Sequence, residues 1–551
     1  MKVLFLYTNI ATIGYNSYSR CVDTFDSWLI PLGICYLAAA LKREGHEVDL
    51  IDFRFEKDFL SVKKKVQKSN AKIVGISFQS PGANYAYQAA QLCKEEGKIV
   101  IAGGIHPTVL PEEVFKTGFF DHVVVGDGIS SLVKLVNDIK TNIRREGIIY
   151  GDTVTNLDSI PFPYLFDAYK KVAAERKIIN LITSRGCPGK CTFCQPVVDK
   201  VFGRKALLRS ADNILSEILL RVEEFDIKHF MIMDDTFTVN KKRVIEFCHK
   251  LKQQRLGISW TVHARVDTLD EEMIVAMVES GSNGLCIGFE SASQRILDYL
   301  NKKTTVEKGY MIAELCNKHK MLVVANLLVG VPTETIDDYK LNFQFVSTTR
   351  PNYIKYNYFI PFPGTTMYDE CLQNGSLDKN TDFDKYEMDV TRESGKGLLS
   401  SVNYNLPIAW HIPIFHWKDM NGNMEMAELL AGGIFAEREK NMTLAEEKFN
   451  RLHSLFPDYL TGHYYLAKTI YLQNRYEKSM ELFQKVIECS NKVNNDYFIG
   501  ASSYFMGLIK KKCGDVENAR SCFLTCLDII PNHQTAQKEL HLIDNKHPHL
   551  S

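Results

Sequence analysis

The stretch Ile178-Ile179-Asn180-Leu181-Ile182-Thr183-Ser184-Arg185-Gly186-Cys187-Pro188-Gly189-Lys190-Cys191-Thr192-Phe193-Cys194 joins an apolar run to three cysteines spaced C-x3-C-x2-C. The apolar part reads as a buried strand. Gly186, Pro188 and Gly189 let the loop after it wrap closely around a bound group. An iron–sulfur cube usually takes four cysteine ligands. A loop supplying Cys187, Cys191 and Cys194 leaves one iron open to another ligand. A structural zinc loop is the competing reading, but zinc sites usually close with four ligands, and no fourth Cys or His lies nearby.

Outward from this loop, residues 178–370 alternate strand and helix patterns. Strands are predicted at 178–183, 228–233, 258–262, 284–289, 322–328 and 353–359, with helices such as 211–224, 241–254 and 271–280 between them. Six such units predict a partial (β/α)6 barrel, whose site sits at the C-terminal strand ends. The chemistry-bearing residues fall there. The second strand ends in Asp234-Asp235, adjacent carboxylates that are costly without a cation or donor. The third leads to Arg265, suited to a bidentate pair with a ligand carboxylate or with Asp267. The fourth ends in Gly288-Phe289-Glu290-Ser291, and after the fifth Glu334 reads as a helix-start residue. Tyr356 and Asn357 are neighbours on the sixth strand, so one of them faces the barrel interior. Tyr356 is the candidate for substrate contact, with core packing as its alternative.

Residues 1–140 show the same alternation, with strands at 3–7, 48–53, 73–78, 99–102 and 122–125 and helices near 31–44, 57–68, 83–96 and 111–117. This predicts a doubly wound parallel sheet that binds ligand at its strand ends. Three loops stand there: Ser77-Phe78-Gln79-Ser80, Gly103-Gly104-Ile105-His106-Pro107-Thr108 and Val125-Gly126-Asp127-Gly128. Residues 141–177, with Pro161 and Pro163, read as a linker.

The cysteine loop, including Phe193 before the third cysteine, resembles the radical S-adenosylmethionine (SAM) superfamily. The Gly-Gly-x-His-Pro-Thr and Val-Gly-Asp-Gly loops resemble the cobalamin-binding domain found ahead of many radical SAM cores. The resemblance covers roughly residues 1–370 and implies three cofactors: one [4Fe–4S] cluster, SAM and cobalamin. It gives Cys187, Cys191 and Cys194 to the cluster, Asp235 (or Asp234) to the SAM amino group, Arg265 to the SAM carboxylate and Glu290 to the ribose. Ser77, Gly103, Gly104, His106 and Gly126 would lie along the corrin. The Asp-x-His-x-x-Gly cobalt-ligand motif of classical cobalamin proteins is absent, and His106 reads as a loop residue near the corrin. A doubly wound domain without cobalamin is the alternative for this segment. Residues 8–30, with Tyr15, Tyr18 and Arg20, are a candidate cover for the corrin.

The implied reaction is C-methylation of an unactivated carbon through a 5′-deoxyadenosyl radical and methylcobalamin. Oxidative cyclisation or rearrangement without methyl transfer is an alternative, and a repeat-mediated scaffold or sensor is another. A reductant such as flavodoxin or ferredoxin is an expected partner.

From about residue 425 the chain turns helical and rich in Tyr, Leu and Phe. Ala445, Phe449 and Pro457, then Leu466, Ala467, Ser479, Phe483 and Val486, then Met506, Gly507, Ala519, Phe523, Cys526 and Pro531 are spaced like degenerate tetratricopeptide units. Such repeats usually bind peptide, so a peptide or protein substrate or partner is expected; a plain helical bundle is the alternative. A short insertion near Asn494 interrupts the repeats, and residues 371–424, with Trp410, His411, His416 and Trp417, form a connecting or capping region.

Lys+Arg and Asp+Glu are both 66, so net charge gives no hint of a nucleic-acid partner, and none is expected. The fourteen cysteines are scattered through 551 residues and make no secreted disulfide framework or second cluster motif. No signal-peptide layout and no run long enough to span a bilayer is apparent, so a cytoplasmic protein is expected.

Overall fold

The computed structural model describes residues 1–8, 29–80, 82–143, 145, 147–194, 200–377, 409–410, 412–414, 416–493 and 495–546. Tyr15, Tyr18, Arg20, His411 and Asn494 lie outside the described residues. The chain divides into two compact units, Met1–Glu334 with Thr349–Val402, and Thr335–Thr348 with Asn403–Ser551.

The first unit holds two six-stranded parallel sheets. In the first, strands β1 (Lys2–Tyr7), β2 (Glu47–Asp52), β3 (Ile73–Ser77), β4 (Ile99–Gly103), β5 (His122–Val125) and β6 (Ile148–Tyr150) run in the order β2-β1-β3-β4-β5-β6. The order reverses between β1 and β3, the switch point at which doubly wound sheets open a crevice. Leu4, Leu6, Val74, Ile76 and Val100 lie in its core, packed on helix residues such as Ala86, Ala89 and Ala90. Strand β6 falls in the segment read as linker, which corrects that reading. Three residues of strand are too few to show a period, and pairing with β5 decides the matter. Gly151 after it is required, because a Cβ there would lie 2.4 Å from the Asp127 carbonyl oxygen.

The second sheet contains β7 (Ile178–Leu181), β10 (His229–Ile232), β11 (Ser259–Arg265), β12 (Ser282–Glu290), β13 (Leu322–Val329) and β14 (Tyr353–Tyr358). They pair in sequence as an open parallel array, the partial barrel expected. Side chains of Ser210, Asn240, Asp270 and Thr305 each accept a backbone N–H at a helix start, fixing where the helices between strands begin. Two further short strands, β8 (Ser184–Arg185) and β9 (Leu207–Leu208), pair antiparallel and fasten the ends of the cysteine loop.

Aromatic packing fixes which way the barrel strands face. Trp260 stacks on Phe230 at 5.8 Å and meets Phe247, on helix Lys241–Gln253, at 5.6 Å. Trp260 and Val262 therefore point outward to the helices, and His263 and Arg265 inward. Register carries this across the sheet. Leu285, Val323, Ala325 and Leu327 share the outer face, while Cys286, Gly288 and Asn326 share the inner one.

Among its described residues the second unit is helical. Helices Met424–Arg438, Met442–Leu455, Leu460–Leu472, Tyr476–Val493, Asp496–Lys512, Val516–Ile529 and Gln534–Lys546 follow one another. Ala445, Phe449, Leu466, Ala467, Ser479, Phe483, Val486, Ala519, Phe523 and Cys526 are buried. Helix Ile336–Thr349, read from sequence inside the barrel segment, goes almost whole with this unit. Lys340 pairs with Glu428 at 2.6 Å. Trp410 and Trp417 are buried, and His416 meets Asp419 at 3.0 Å. Among the described residues no helix is long and apolar enough to cross a membrane.

Candidate active site at the strand ends

The β8–β9 pair converts the end of β7 into a closed loop carrying Cys187, Cys191 and Cys194. Gly186, at φ +84°, passes so close to the other arm that a Cβ would lie 2.2 Å from the Lys205 carbonyl oxygen. Arg204 donates to the Gly189 carbonyl at 2.6 Å. Cys187 and Cys191 are buried and Cys194 is exposed. Gly189 N–H donates to Cys187 Sγ at 3.4 Å, and Thr236 Oγ1 lies 3.1 Å from the same sulfur. Arg265 Nη1 donates to Cys191 Sγ at 3.3 Å.

Among the described residues no three Cys, His, Asp or Glu side chains converge as a single metal ion would require. A cube of irons and sulfides takes its thiolates at separate corners and does not need that convergence. Three cysteines on one glycine-rich loop, two of them with N–H donors on sulfur, are a donor set that fits the cube.

The two carboxylates after β10 have different surroundings. Asp234 is buried and accepts from Thr183 N–H at 2.6 Å and Ser184 hydroxyl at 2.7 Å, with Arg243 3.9 Å away. It ties the entrance of the cysteine loop to β10. Asp235 is exposed and accepts from the Gly186 N–H at 2.9 Å. The protein around it disfavours its charge, and Asp234 adds repulsion, so its carboxyl pKa is raised despite the Gly186 donor. A carboxylate so placed is ready for a cation.

Arg265 is committed to protein. Its Nε and Nη2 pair with Asp267 at 2.9 and 3.0 Å, and Nη2 also reaches the Lys302 carbonyl at 2.8 Å. The fork proposed for a SAM carboxylate is thus taken by Asp267. Burial opposes its charge, but Asp267 and Cys191 outweigh that and hold the guanidinium pKa up.

At the end of β12 the register slips between Gly288 and Glu290, and Glu290 stands at φ +64°. Its carboxylate is buried against Lys302 Nζ at 2.5 Å. Gly288 leaves room for that pair, since a Cβ would lie 2.6 Å from Glu290 Oε1. Lys302 was invisible from sequence: it sits on a loop beyond helix Gln294–Tyr299, outside every strand end. Glu334 accepts the Val331 N–H at 2.9 Å and shapes a local turn.

Tyr356 falls on the side of its core-packing alternative. It pairs in register with Leu327 and Tyr358 with Val329, on the helix-facing side, and the two tyrosine rings meet at 5.9 Å. Alternation gives the inner face to Lys355 and Asn357. A group missed by the sequence reading lies on that inner face. Asn326 Nδ2 donates to Cys286 Sγ at 3.0 Å. Burial raises the Cys286 pKa, but His263, Asn326 and Lys355 outweigh it and the thiol ends below its usual range. Only the register could have grouped these residues, which come from four strands.

On the other sheet, Ser77 and Gly103 end neighbouring strands in register. Gly104, at φ +100°, must be glycine, since a Cβ would lie 2.8 Å from the Phe78 carbonyl oxygen. His106 is fully buried, with Nδ1 2.9 Å from Ser80 hydroxyl and Nε2 3.1 Å from Tyr87 hydroxyl. Burial pushes its pKa down to about 4. Both ring nitrogens are engaged by protein, so His106 braces the β3 and β4 loops and has no nitrogen left for cobalt. Gly126 N–H donates to Thr108 Oγ1 at 3.1 Å.

The two sets of strand-end loops meet. Arg185, at the entrance to the cysteine loop, pairs with Asp127, after β5, at 3.1 Å. On the far arm of the loop, Lys200 donates to the Val109 carbonyl at 3.2 Å, and the Val201 carbonyl accepts from the Thr153 hydroxyl at 2.9 Å.

Residues 181–346 match the family model of the Radical SAM superfamily, and residues 20–136 match that of the B12 binding domain. An uncharacterized methyltransferase of Pyrococcus horikoshii is 31% identical over 369 residues, covering 63% of this chain and 79% of that protein. The anaerobic magnesium-protoporphyrin IX monomethyl ester cyclase of Rubrivivax gelatinosus is 25% identical over 416 residues, 70% of this chain and 72% of the relative. Among solved structures, the cobalamin-dependent SAM radical enzyme OxsB, with aqua-cobalamin and SAM bound, superposes with a TM-score of 0.62 at 17% identity, covering 93% of this chain and 83% of that one. The cofactors that go with the two matched domains are a [4Fe–4S] cluster, SAM and cobalamin. With both domains in order and a relative that it matches over most of its length, the chain belongs to the radical SAM enzymes that carry a B12-binding domain.

Proposed function

We propose that this enzyme methylates an unactivated carbon of its substrate. When bound, the cluster and SAM supply hydrogen abstraction and the cobalamin supplies the methyl group. The chain's own residues hold these groups in line and exclude water. The observation that carries the reading is the Arg185–Asp127 pair, which joins the mouth of the cysteine loop to the strand-end loops of the B12-binding sheet. The methyltransferase relative supports the same reaction class.

Asp235 receives the SAM ammonium, for which its raised pKa and its place beside Gly186 suit it. Glu290, held by Lys302, faces the ribose, and Ser77, Gly103, Gly104 and Gly126 line the corrin. Substrate enters the inner face near Cys286, Asn326 and Lys355. The C-terminal helices act as tetratricopeptide-like repeats that present a peptide or protein substrate. The enzyme works in the cytoplasm, where a flavodoxin or ferredoxin supplies the electron.

The cyclase relative favours a second reading with the same cofactors and no methyl transfer. Anaerobic purification with cobalamin supplied, followed by iron, sulfide and cobalt counts and turnover with methyl-labelled SAM, separates the two. Label in the product supports methylation. Bound corrin with SAM consumption and an unlabelled product would turn the assignment to cyclisation or rearrangement.

A further inference from the structure

Arg265 has an arrangement that the SAM-carboxylate role does not explain. Asp267 and the Lys302 carbonyl occupy Nε and Nη2, leaving Nη1 as the nitrogen aimed at Cys191 Sγ, 3.3 Å away. The approach is built into the loop. A Cβ on Gly189 would lie 2.8 Å from Arg265 Nη1, so glycine there lets the guanidinium lie against the cysteine loop. By contrast, Thr236 donates its hydroxyl proton to the Asp235 carbonyl at 2.6 Å, so its oxygen gives Cys187 no second proton. Arg265 is thus a charged donor to a cysteine sulfur of this loop.

Hydrogen bonds to cluster sulfurs and nearby charge set the potential of an iron–sulfur centre. A charge-assisted donor is about twice as strong as a neutral one. Reduction adds one negative charge to the cluster, and a cationic donor stabilises the charge that arrives.

We infer that Arg265 is a positioning residue that raises the reduction potential of the cluster through its bond to Cys191, with Asp267, the Lys302 carbonyl and Gly189 setting its aim. The inference rests on the family's assignment of this loop to a cluster. It makes Arg265 part of electron acceptance, before any substrate is engaged.

The test is a redox titration followed by electron paramagnetic resonance on the reconstituted full chain without SAM, so that any contact of Arg265 with SAM is out of play. Iron and sulfide are counted first. R265Q with a full cluster is expected to show a reduced-to-oxidised ratio about tenfold lower than wild type at the same poise, about 59 mV for a one-electron couple. G189A, which keeps every charge and crowds the guanidinium, is expected to shift the same way by a smaller factor. Should R265Q take up no cluster, G189A carries the comparison. Midpoints equal to wild type overturn the inference, and weaker SAM binding with an unmoved midpoint assigns Arg265 to SAM instead. A wild-type chain that takes up no cluster overturns the family reading of the loop, and this inference with it.

Discussion

Asp234 and Asp235 are adjacent, chemically identical and set to different tasks. Asp234 spends its oxygens on Thr183 and Ser184, so D234N is expected to cost about 1–3 kcal/mol through disturbed buried donors, seen as a lower thermal midpoint. D235N should leave that midpoint nearly unchanged and weaken SAM binding instead; the reverse pattern would exchange their roles. Cys286 offers a second check. Its pKa is lowered, so alkylation by iodoacetamide should begin at lower pH than for an ordinary thiol, and N326L should move the onset back up. The sequence made the acids and cysteines legible because each sits beside a strand end. It offered the Arg265–Asp267 pair as one of two readings, and it could not reveal the Lys302–Glu290 pair, because Lys302 lies beyond a helix and outside every strand end. For Tyr356 the sequence left substrate contact and core packing open, because alternation says that neighbours differ in facing, not which of them faces in.

Elements were easier to read than contacts. β13 announced itself as a near-continuous apolar run, since parallel strands are covered on both faces, whereas β11 and β14 mix apolar with polar and charged residues. β6, β8 and β9 did not announce themselves, because two or three residues carry no period. Loop packing likewise needed coordinates: His106 was legible as a conspicuous residue and illegible as a brace. Its burial as neutral imidazole has a pH consequence. The folded pKa of about 4 lies below the ordinary value of 6.5, so the contribution is whole above pH 6.5 and is lost as pH falls toward 4. The loss attributable to this one residue is about 3 kcal/mol. Urea unfolding of wild type and H106Q at pH 7 and pH 4.5 should show a steeper fall for wild type; parallel falls would remove His106 from the account.

At the scale of the molecule, the succession of two β/α segments and a helical one was plain from sequence, whereas the joining of the two strand-end surfaces was not. That joining depends on Arg185 and Asp127, 58 positions apart and unremarkable in either motif. R185A is expected to keep cluster and corrin at wild-type stoichiometry and to lose at least tenfold in methylated product, while 5′-deoxyadenosine still accumulates; product at the wild-type rate would show that the pair does not align the two sites.

The β8–β9 clasp has a bearing on survival in air. The arms of the cysteine loop are fastened by backbone pairing and by the Arg204–Gly189 contact, bonds made by protein alone. A molecule whose cluster has been burned away by oxygen is therefore expected to remain a folded vessel. Its recovery should need only iron, sulfide and reductant, and no passage through the unfolded chain.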